Sequence, residues 1–379
     1  MEGRDGKKNI RESLRKLAPT ILDRYIIRQF LGTFLFSLVL ILSIAVIFDF
    51  SEKIDDFIQK QAPLKAIIFD YYLNFIPYFA TLFAPMFVFI SVIFFTSRMA
   101  VNTEIIAMLN SGMSFPRLLV PYFVSAAFIA LAAFLMLNYV LPHSNIARLD
   151  FEEKYYRRSD FRQINVSSVH RQVYPNVYIY MESYNKISQS GRNFSMEKFD
   201  EQGRLESKLT ANMIRWDTTT NKWGAWWYYI RENDSLGERI TSGRRIDTVL
   251  NVGPDDFTRA PEFVYTMTHG ELIDYIDVLR SQGSDEIKLY LNEKHRRNAS
   301  PFAFFVLTLI GVSLSSRKIK GGIGMQIGLG LALTFSYILF MQFASQFSLK
   351  GDLNPALAMW IPNIIYSFIA LGTYLYAPK

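Results

Sequence analysis

Long uncharged apolar runs occur along the chain, and a single polar block interrupts them at mid-chain. The block covers residues 142–298, with three apolar runs before it and three after it. The runs span residues 30–48, 71–95, 118–141, 299–316, 322–347 and 353–377. A helix needs about 20 mostly apolar residues to cross a bilayer. The pattern therefore predicts an α-helical integral membrane protein with six transmembrane helices, arranged 3+3 around an inserted domain.

The polar block contains short stretches in which apolar and polar residues alternate. Within residues 176–184, three apolar residues occupy every second position: Val177, Ile179 and Met181. This period of two is typical of half-buried strands, and turn-rich pieces separate several such stretches. We expect an antiparallel β sandwich or jelly roll rather than a parallel sheet. The inward residues form either an ordinary β core or an apolar groove that is open to a lipid chain.

The end of the block predicts helices that lead back to the membrane. Thr268 and Glu271 have the spacing of a capping box, which would begin a helix that runs to about Arg280 and breaks near Gly283. A second, amphipathic helix at residues 285–297 would then lie at the membrane surface. The predicted parts are the N-terminus with three spans (1–141), the β domain (142–267), the linker helices (268–298) and three further spans (299–379).

The positions of the charged residues predict the orientation of the chain in the membrane. The formal net charge is +7, and its excess lies ahead of the first apolar run, at Arg4, Lys7, Lys8, Arg11, Arg15, Lys16 and Arg24. Basic segments beside membrane helices stay on the cytoplasmic side, and the short basic loop at residues 317–320 gives the same answer. We therefore expect cytoplasmic N- and C-termini and a polar block on the outer side. This placement also argues against a nucleic-acid partner.

Motifs for chemistry on the chain itself are missing from the sequence. It contains no cysteine, no phosphate-binding G-x-x-x-x-G-K-[ST] loop and no G-x-S-x-G elbow. The four histidines are scattered and fit no zinc spacing. The sequence thus predicts no catalytic residues, no metal site and no cofactor, and it favours a protein that is not itself an enzyme.

The loop between the second and third apolar runs predicts a short helix near residues 102–112. Thr103 is placed to cap it and Gly112 to end it. Its apolar residues, among them Ile105 and Met108, share part of its surface. A short helix in a cytoplasmic loop between two spans is how a permease binds an ATPase subunit, although the pattern alone is not specific.

Four places in the chain resemble the LptF/LptG family of lipopolysaccharide export permeases. They are Leu22-Asp23-Arg24-Tyr25-Ile26, the Thr103 to Met108 segment with Ser111-Gly112, the capped helix from Thr268 to Leu279, and Ala299-Ser300-Pro301-Phe302 running on to Gly311-Val312. The similarity extends over essentially the whole chain.

The resemblance implies partners and a compartment. It implies an inner-membrane location in a Gram-negative bacterium, an LptB-like ATPase dimer, and a second permease that is a paralogue or another copy. It also implies a periplasmic jelly roll that passes lipopolysaccharide to LptC- and LptA-like jelly rolls. The residues it assigns to ATPase coupling are Arg98, Thr103, Glu104, Ile105, Met108 and Gly112.

The sequence departs from the family's pattern near the outer end of the first span. The family often carries lysine or arginine there, facing substrate phosphates, whereas here Lys53 is the single basic residue of residues 49–56 and acids surround it. Either the phosphate contacts come from elsewhere or the substrate carries fewer phosphates. The predicted substrate path comprises Lys53 and the strand residues Val177, Ile179 and Met181.

Two classes of function remain open at this point. The first is a permease subunit of an ATP-driven exporter that extracts lipopolysaccharide and passes it to a periplasmic bridge. The second is a membrane-anchored periplasmic lipid-binding or receptor protein without transport activity. The six spans and the short loop helix favour the first, because a receptor needs only one or two spans.

Overall fold

A computed structural model describes residues 20–155, 165–234, 237–258, 261–284, 286–317 and 322–377 of the chain. Several residues used for the predictions above lie outside these ranges. They are the basic residues up to Lys16, residues 318–320 of the basic loop, and Asp285 at the start of the predicted amphipathic helix.

The described residues contain six helices that are long and apolar enough to cross a membrane. They are α1 (Ile21–Gln59), α2 (Leu64–Val101), α4 (Phe115–Tyr155), α6 (Ile287–Ser315), α7 (Gly322–Lys350) and α8 (Pro355–Leu375). Two shorter helices, α3 (Glu104–Asn110) and α5 (His269–Gln282), lie between them. The six predicted spans are confirmed in number and order.

Several helices extend well beyond the apolar runs that predicted them. Helix α1 has 39 residues, which corresponds to about 58 Å at 1.5 Å per residue and exceeds the ~30 Å hydrocarbon layer. Helix α4 continues to Tyr155, past the predicted domain boundary at residue 142. Its last turns carry the ion pair Arg148–Glu152 at i,i+4 spacing, 2.9 Å long, a pairing that supports a polar helix outside a membrane.

The chain forms two compact units. One consists of the described residues of three ranges: those up to Phe50, Ile76–Leu137, and those from His295 onward. Its main core contains Phe30, Val88, Tyr122, Phe304 and Val312, all buried. The other consists of Ser51–Phe75 and Asn138–Lys294. It contains the sheet and α5.

Within the first unit, Asn363 of α8 connects three membrane helices. Its side-chain nitrogen donates to the carbonyl of Ala299 in α6 at 2.8 Å, and its oxygen accepts from the Tyr337 hydroxyl of α7 at 2.9 Å. Both the donor and the acceptor of the Asn363 amide are therefore engaged, as a buried polar side chain requires.

The second unit contains one six-stranded antiparallel sheet. Its strands pair in chain order: β1 (Asn165–Tyr174), β2 (Val177–Asn185), β3 (Ser190–Phe199), β4 (Leu205–Asp217), β5 (Lys222–Asp234) and β6 (Gly237–Thr248). The predicted exclusion of a parallel sheet is confirmed. In β2, Ile179 and Met181 are buried while Tyr178 and Glu182 are exposed, as the alternation predicts.

One face of the sheet carries the core of this unit. Buried side chains from the strands, including Phe194 and Trp223, pack with Leu250, Val252 and Phe257 from the chain after β6. The Trp223 indole nitrogen donates to the carbonyl of Val252 at 2.9 Å. The segment after β6 is therefore fixed to the sheet by both apolar contact and a buried hydrogen bond.

The linker shows the predicted capping box and helix end. Glu271 accepts hydrogen bonds from the backbone N–H and the hydroxyl of Thr268, both at 2.8 Å, and Gly283 ends α5 with a φ of 67°. Residues 287–297 of the predicted amphipathic helix are helical and lead without interruption into the fourth span, since Ile287–Ser315 forms one continuous helix. The polar residues 287–297 have high helix propensity and extend the span without a cap or break.

We expect Trp223→Ala to destabilise the sheet by about 3–5 kcal/mol, because it leaves a cavity in the core. Trp223→Phe should cost less, about 1–3 kcal/mol, because the Val252 carbonyl loses its donor in a buried place. The measurement is hydrogen–deuterium exchange of β5 in the purified full-length protein. Tyr229→Ala, an exposed position on the same strand, is the control and should cost less than about 1 kcal/mol. Equal protection in all three variants would contradict the assigned core.

Candidate functional site

The short helix α3 lies between α2, which ends at Val101, and α4, which begins at Phe115. It starts after Thr103, whose φ of 63° turns the chain into the helix. Thr103 is the N-cap residue of the helix, as predicted, but its side chain makes no capping hydrogen bond. Its hydroxyl donates to the carbonyl of Asn102 at 2.6 Å, because the left-handed backbone places it beside that group instead of the helix N–H groups.

Gly112 ends α3 as predicted. It has a φ of +90°, a conformation that favours glycine. Its N–H donates to the carbonyl of Leu109 at 3.0 Å, and the N–H of Met113 donates to that of Met108 at 3.3 Å. These two bonds form a Schellman motif. The helix is therefore closed at Gly112, and the chain turns directly into α4.

The two faces of α3 have opposite surroundings. Ile105 is 0% exposed and belongs to the same buried cluster as Met99, Ala100 and Phe115, and Met108 packs against that cluster. Ile106 is 49% exposed. Ile105 was expected to contact a partner, and this needs correction, because its side chain has no surface left to offer. It holds α3 against the membrane helices, and Ile106 is a large apolar residue on the free face.

Glu104 connects α3 to the beginning of α1. Its carboxylate accepts a hydrogen bond from the Tyr25 hydroxyl at 3.2 Å and one from the side-chain nitrogen of Asn102 at 3.1 Å. Glu104 is half-buried, so part of its carboxylate remains accessible. Arg98 lies close to Glu104 in the sequence, in the last turn of α2, and its side chain is exposed. The loop thus presents a carboxylate, an apolar side chain and a cation within a few residues of each other.

An ion pair beside this loop was not predicted as part of the site. Arg117, at the start of α4, contacts Asp23 of α1 with two nitrogen–oxygen distances of 2.8 and 2.6 Å. The N–H and the hydroxyl of Thr20 each donate a hydrogen bond to the same carboxylate, both at 2.9 Å. Such bidentate geometry gives orientation as well as attraction. The sequence offered a signal, since Asp23 and Tyr25 lie in a stretch that carries the family resemblance.

The predicted substrate-path residues lie in two separate places. The Lys53 side chain is 9% exposed, donates to the Tyr71 hydroxyl, and has its ammonium 4.9 Å from the centre of the Tyr71 ring. Ile179 and Met181 are buried in the core of the sheet, and Val177 packs at its edge. Lys53 thus lies in an aromatic cluster with Tyr71, and the strand residues pack among their own neighbours.

A search of the described residues finds no group of three or more histidine or acidic side chains placed to hold a metal ion. The surroundings of α3 offer hydrogen-bonding and apolar surface for a protein partner.

A family model described as "Lipopolysaccharide export system permease LptF/LptG" matches residues 24–376. The chain belongs to the LptF/LptG permease family. None of the curated proteins matches the chain significantly. As a member of this family, the chain is a lipopolysaccharide export permease. It is therefore a transporter component rather than an enzyme. The matched range contains α3 and Tyr25, and it begins one residue after Asp23.

We expect the Asp23–Arg117 pair to stabilise the attachment of α1 to α4. Asp23→Asn should lower the stability of the purified protein by roughly 1–2 kcal/mol, a value reduced by solvent screening because one side of Arg117 is exposed. The charge-swapped double variant, Asp23→Arg with Arg117→Asp, should recover part of the loss. The measurement is thermal unfolding in detergent at low and high salt. A double variant no better than Asp23→Arg alone would mean that the pair contributes nothing specific.

Proposed function

We propose that this chain is the permease subunit of an ATP-driven exporter that extracts lipopolysaccharide from the inner membrane and passes it to a periplasmic bridge. Family membership supports a permease of this export system. The partner that supplies ATP hydrolysis is an LptB-like ATPase dimer. The observation that carries this proposal is helix α3, which is fixed on one side and free on the other.

The proposed ATPase docks on the free face of α3. Ile105 and the Schellman motif at Gly112 fix the helix, so docking requires little ordering of the loop. Ile106 supplies apolar surface and Glu104 supplies a carboxylate for a basic or hydrogen-bonding group of the ATPase. Thr103 and Met108 act through the shape of the loop, and exposed Arg98 adds a charge at its edge.

A second permease, either a paralogue or another copy of this chain, is proposed to cover the open membrane face of α7. Only 22% of the most apolar stretch of α7 is buried within the described chain. Gly324 and Gly328 form a G-x-x-x-G on α7, and a Cβ atom at either would meet nothing within 4 Å. Small residues of this kind allow close approach between membrane helices.

The sheet is proposed to lie in the periplasm and to transfer lipid to LptC- and LptA-like jelly rolls. Strands β1 and β6 form its two edges, since among the described strands each pairs on one side only. An edge strand is a template for adding strands from another chain. In this proposal the acyl chains follow the face that carries Val177, Ile179 and Met181, and the bound lipid displaces part of the contacts that now bury them.

The docking proposal predicts graded loss of the ATPase. Glu104→Gln removes the charge and Glu104→Lys adds repulsion against a basic partner, so ATPase recovered per permease on pull-down should fall in the order wild type, Gln, Lys. Leaving a buried partner group unpaired costs about 2–5 kcal/mol, so Glu104→Lys should lose more than about tenfold in affinity. The thermal stability of the permease should change little.

Tyr25→Phe is the matched control for this experiment. It removes the hydrogen bond to Glu104 but leaves the carboxylate for the partner, so ATPase recovery should stay near the wild-type level. If Tyr25→Phe loses the ATPase as Glu104→Gln does, Glu104 acts by holding α1 instead of by docking. Full recovery with Glu104→Lys would remove α3 as the docking element and favour the receptor alternative.

Orientation is tested by labelling single cysteines, which is clean because the chain has none of its own. Asn221 is exposed in the turn between β4 and β5, and Arg317 is exposed after α6. A membrane-impermeant maleimide should label Asn221→Cys in spheroplasts. It should label Arg317→Cys only after the membrane is opened. The opposite pattern would place the sheet in the cytoplasm and exclude the exporter arrangement.

A further inference from the structure

An open groove of about 620 Å³ runs along the N-terminal part of α1 and is closed on one side by α2. Its polar end is lined by Tyr25, Arg28 and Gln29 of α1. Its apolar end is lined by Phe36 of α1 and Phe94 of α2, and both rings are exposed. The volume is in the range of small-molecule sites, about 300–1,000 Å³.

The two ends of the groove lie at different depths along α1. Arg28 comes just before the uncharged run that begins at residue 30, so it stands at the boundary between headgroups and hydrocarbon. Phe36 follows Arg28 by eight positions, which is about 12 Å at 1.5 Å per residue. From Arg28 toward the middle of α1 the groove therefore changes from polar to apolar, in the same order as the headgroup and the acyl chain of a lipid.

Arg28 is a cation without a counter-charge among the described residues. Within the described part of the chain, its guanidinium makes no hydrogen bond and no ion pair. A charge at a membrane boundary is stabilised by water or by an anionic lipid headgroup. A guanidinium fits the oxygen atoms of a phosphate particularly well, because two of its N–H groups can donate in parallel.

Gly32 leaves space in the middle of the groove. A Cβ atom at this position would meet nothing within 4 Å. A helix of another protein could also lie against such a surface, but it would bury Arg28 and would need an acidic group at the same depth. A phospholipid brings the negative charge and the acyl chain in the right order.

We propose that this groove binds one anionic membrane phospholipid, with its phosphate on Arg28 and an acyl chain along Phe36 and Phe94. The lipid belongs to the leaflet that contains the N-terminal end of α1. Gln29 and Thr33, which also line the groove, offer hydrogen bonds to the glycerol and ester oxygens. The groove shares Tyr25 with the contact to Glu104 of α3, but the residues assigned to the lipid are Arg28, Phe36 and Phe94, so the proposal does not rest on an ATPase docking on α3.

Native mass spectrometry of the full-length protein in detergent, titrated with phosphatidylglycerol or phosphatidylcholine, tests this site. Phosphatidylglycerol should bind more tightly, and Arg28→Gln should weaken it about fivefold, as expected for one basic residue at a membrane surface. Arg24→Gln is the matched control. Arg24 is exposed one turn earlier on α1 and does not line the groove, so its loss should change the affinity by less than about twofold if the attraction is local.

Gly32→Leu tests the shape of the groove without changing its charge. Leucine favours the helix and fills the open space, so phosphatidylglycerol binding should fall at least as far as with Arg28→Gln. Equal effects of Arg28→Gln and Arg24→Gln, or unchanged binding in Gly32→Leu, would overturn the proposal.

Other occupants give distinct results. Disulfide-linked dimers of Gly32→Cys formed in native membranes would assign the groove to a second copy of the chain. Displacement of phosphatidylglycerol by an equal concentration of lipopolysaccharide would assign it to the transported lipid. Either result would overturn the phospholipid assignment, whereas neither depends on whether an ATPase docks on α3.

Discussion

The attachment of α1 to the rest of its unit depends on a bidentate ion pair at one end of the helix. Arg117 of α4 contacts Asp23 at 2.8 and 2.6 Å, and Ile26 and Phe30 follow with 0% exposure. Only 11% of the most apolar stretch of α1 is buried within the described chain. A helix held at its end and open along its length leaves its apolar surface free for lipid or for other membrane helices. The groove at Arg28 and the exposed face further along α1 are consequences of this arrangement.

The same end of α1 also contacts α3. Tyr25 follows the Asp23 that binds Arg117 by two residues, and it donates a hydrogen bond to the carboxylate of Glu104. A partner that engages Glu104 competes with Tyr25 for the same oxygen atoms. In the proposed docking, the partner's contact with α3 and the position of α1 are therefore linked through one carboxylate. Buried Ile105 holds α3 in place whether or not Tyr25 keeps its bond to Glu104.

Sequence reasoning succeeded where a single local constraint decides the structure. The thickness of the hydrocarbon layer sets the length of apolar runs, which explains why six spans were found. Gly112 and Gly283 end helices because their left-handed conformations favour glycine. Sequence reasoning failed where the deciding contact joins residues far apart in the chain, or where the element is short. Asp23 and Arg117 are 94 residues apart, and in the seven residues of α3 periodicity cannot tell buried Ile105 from exposed Ile106. The polar end of α4 was missed because its helix continues without an apolar run.

The surroundings of Lys53 bear on where substrate phosphates are met. Its ammonium is engaged with Tyr71, and a cation over an aromatic ring is stabilised by about 0.5–2 kcal/mol. A phosphate would attract the ammonium more strongly, but it would have to approach past Glu52 and Asp55, which are exposed on the same helix. Like charges placed together oppose binding and select against that partner. The acids beside Lys53 therefore oppose the binding of a highly phosphorylated lipid at this end of α1.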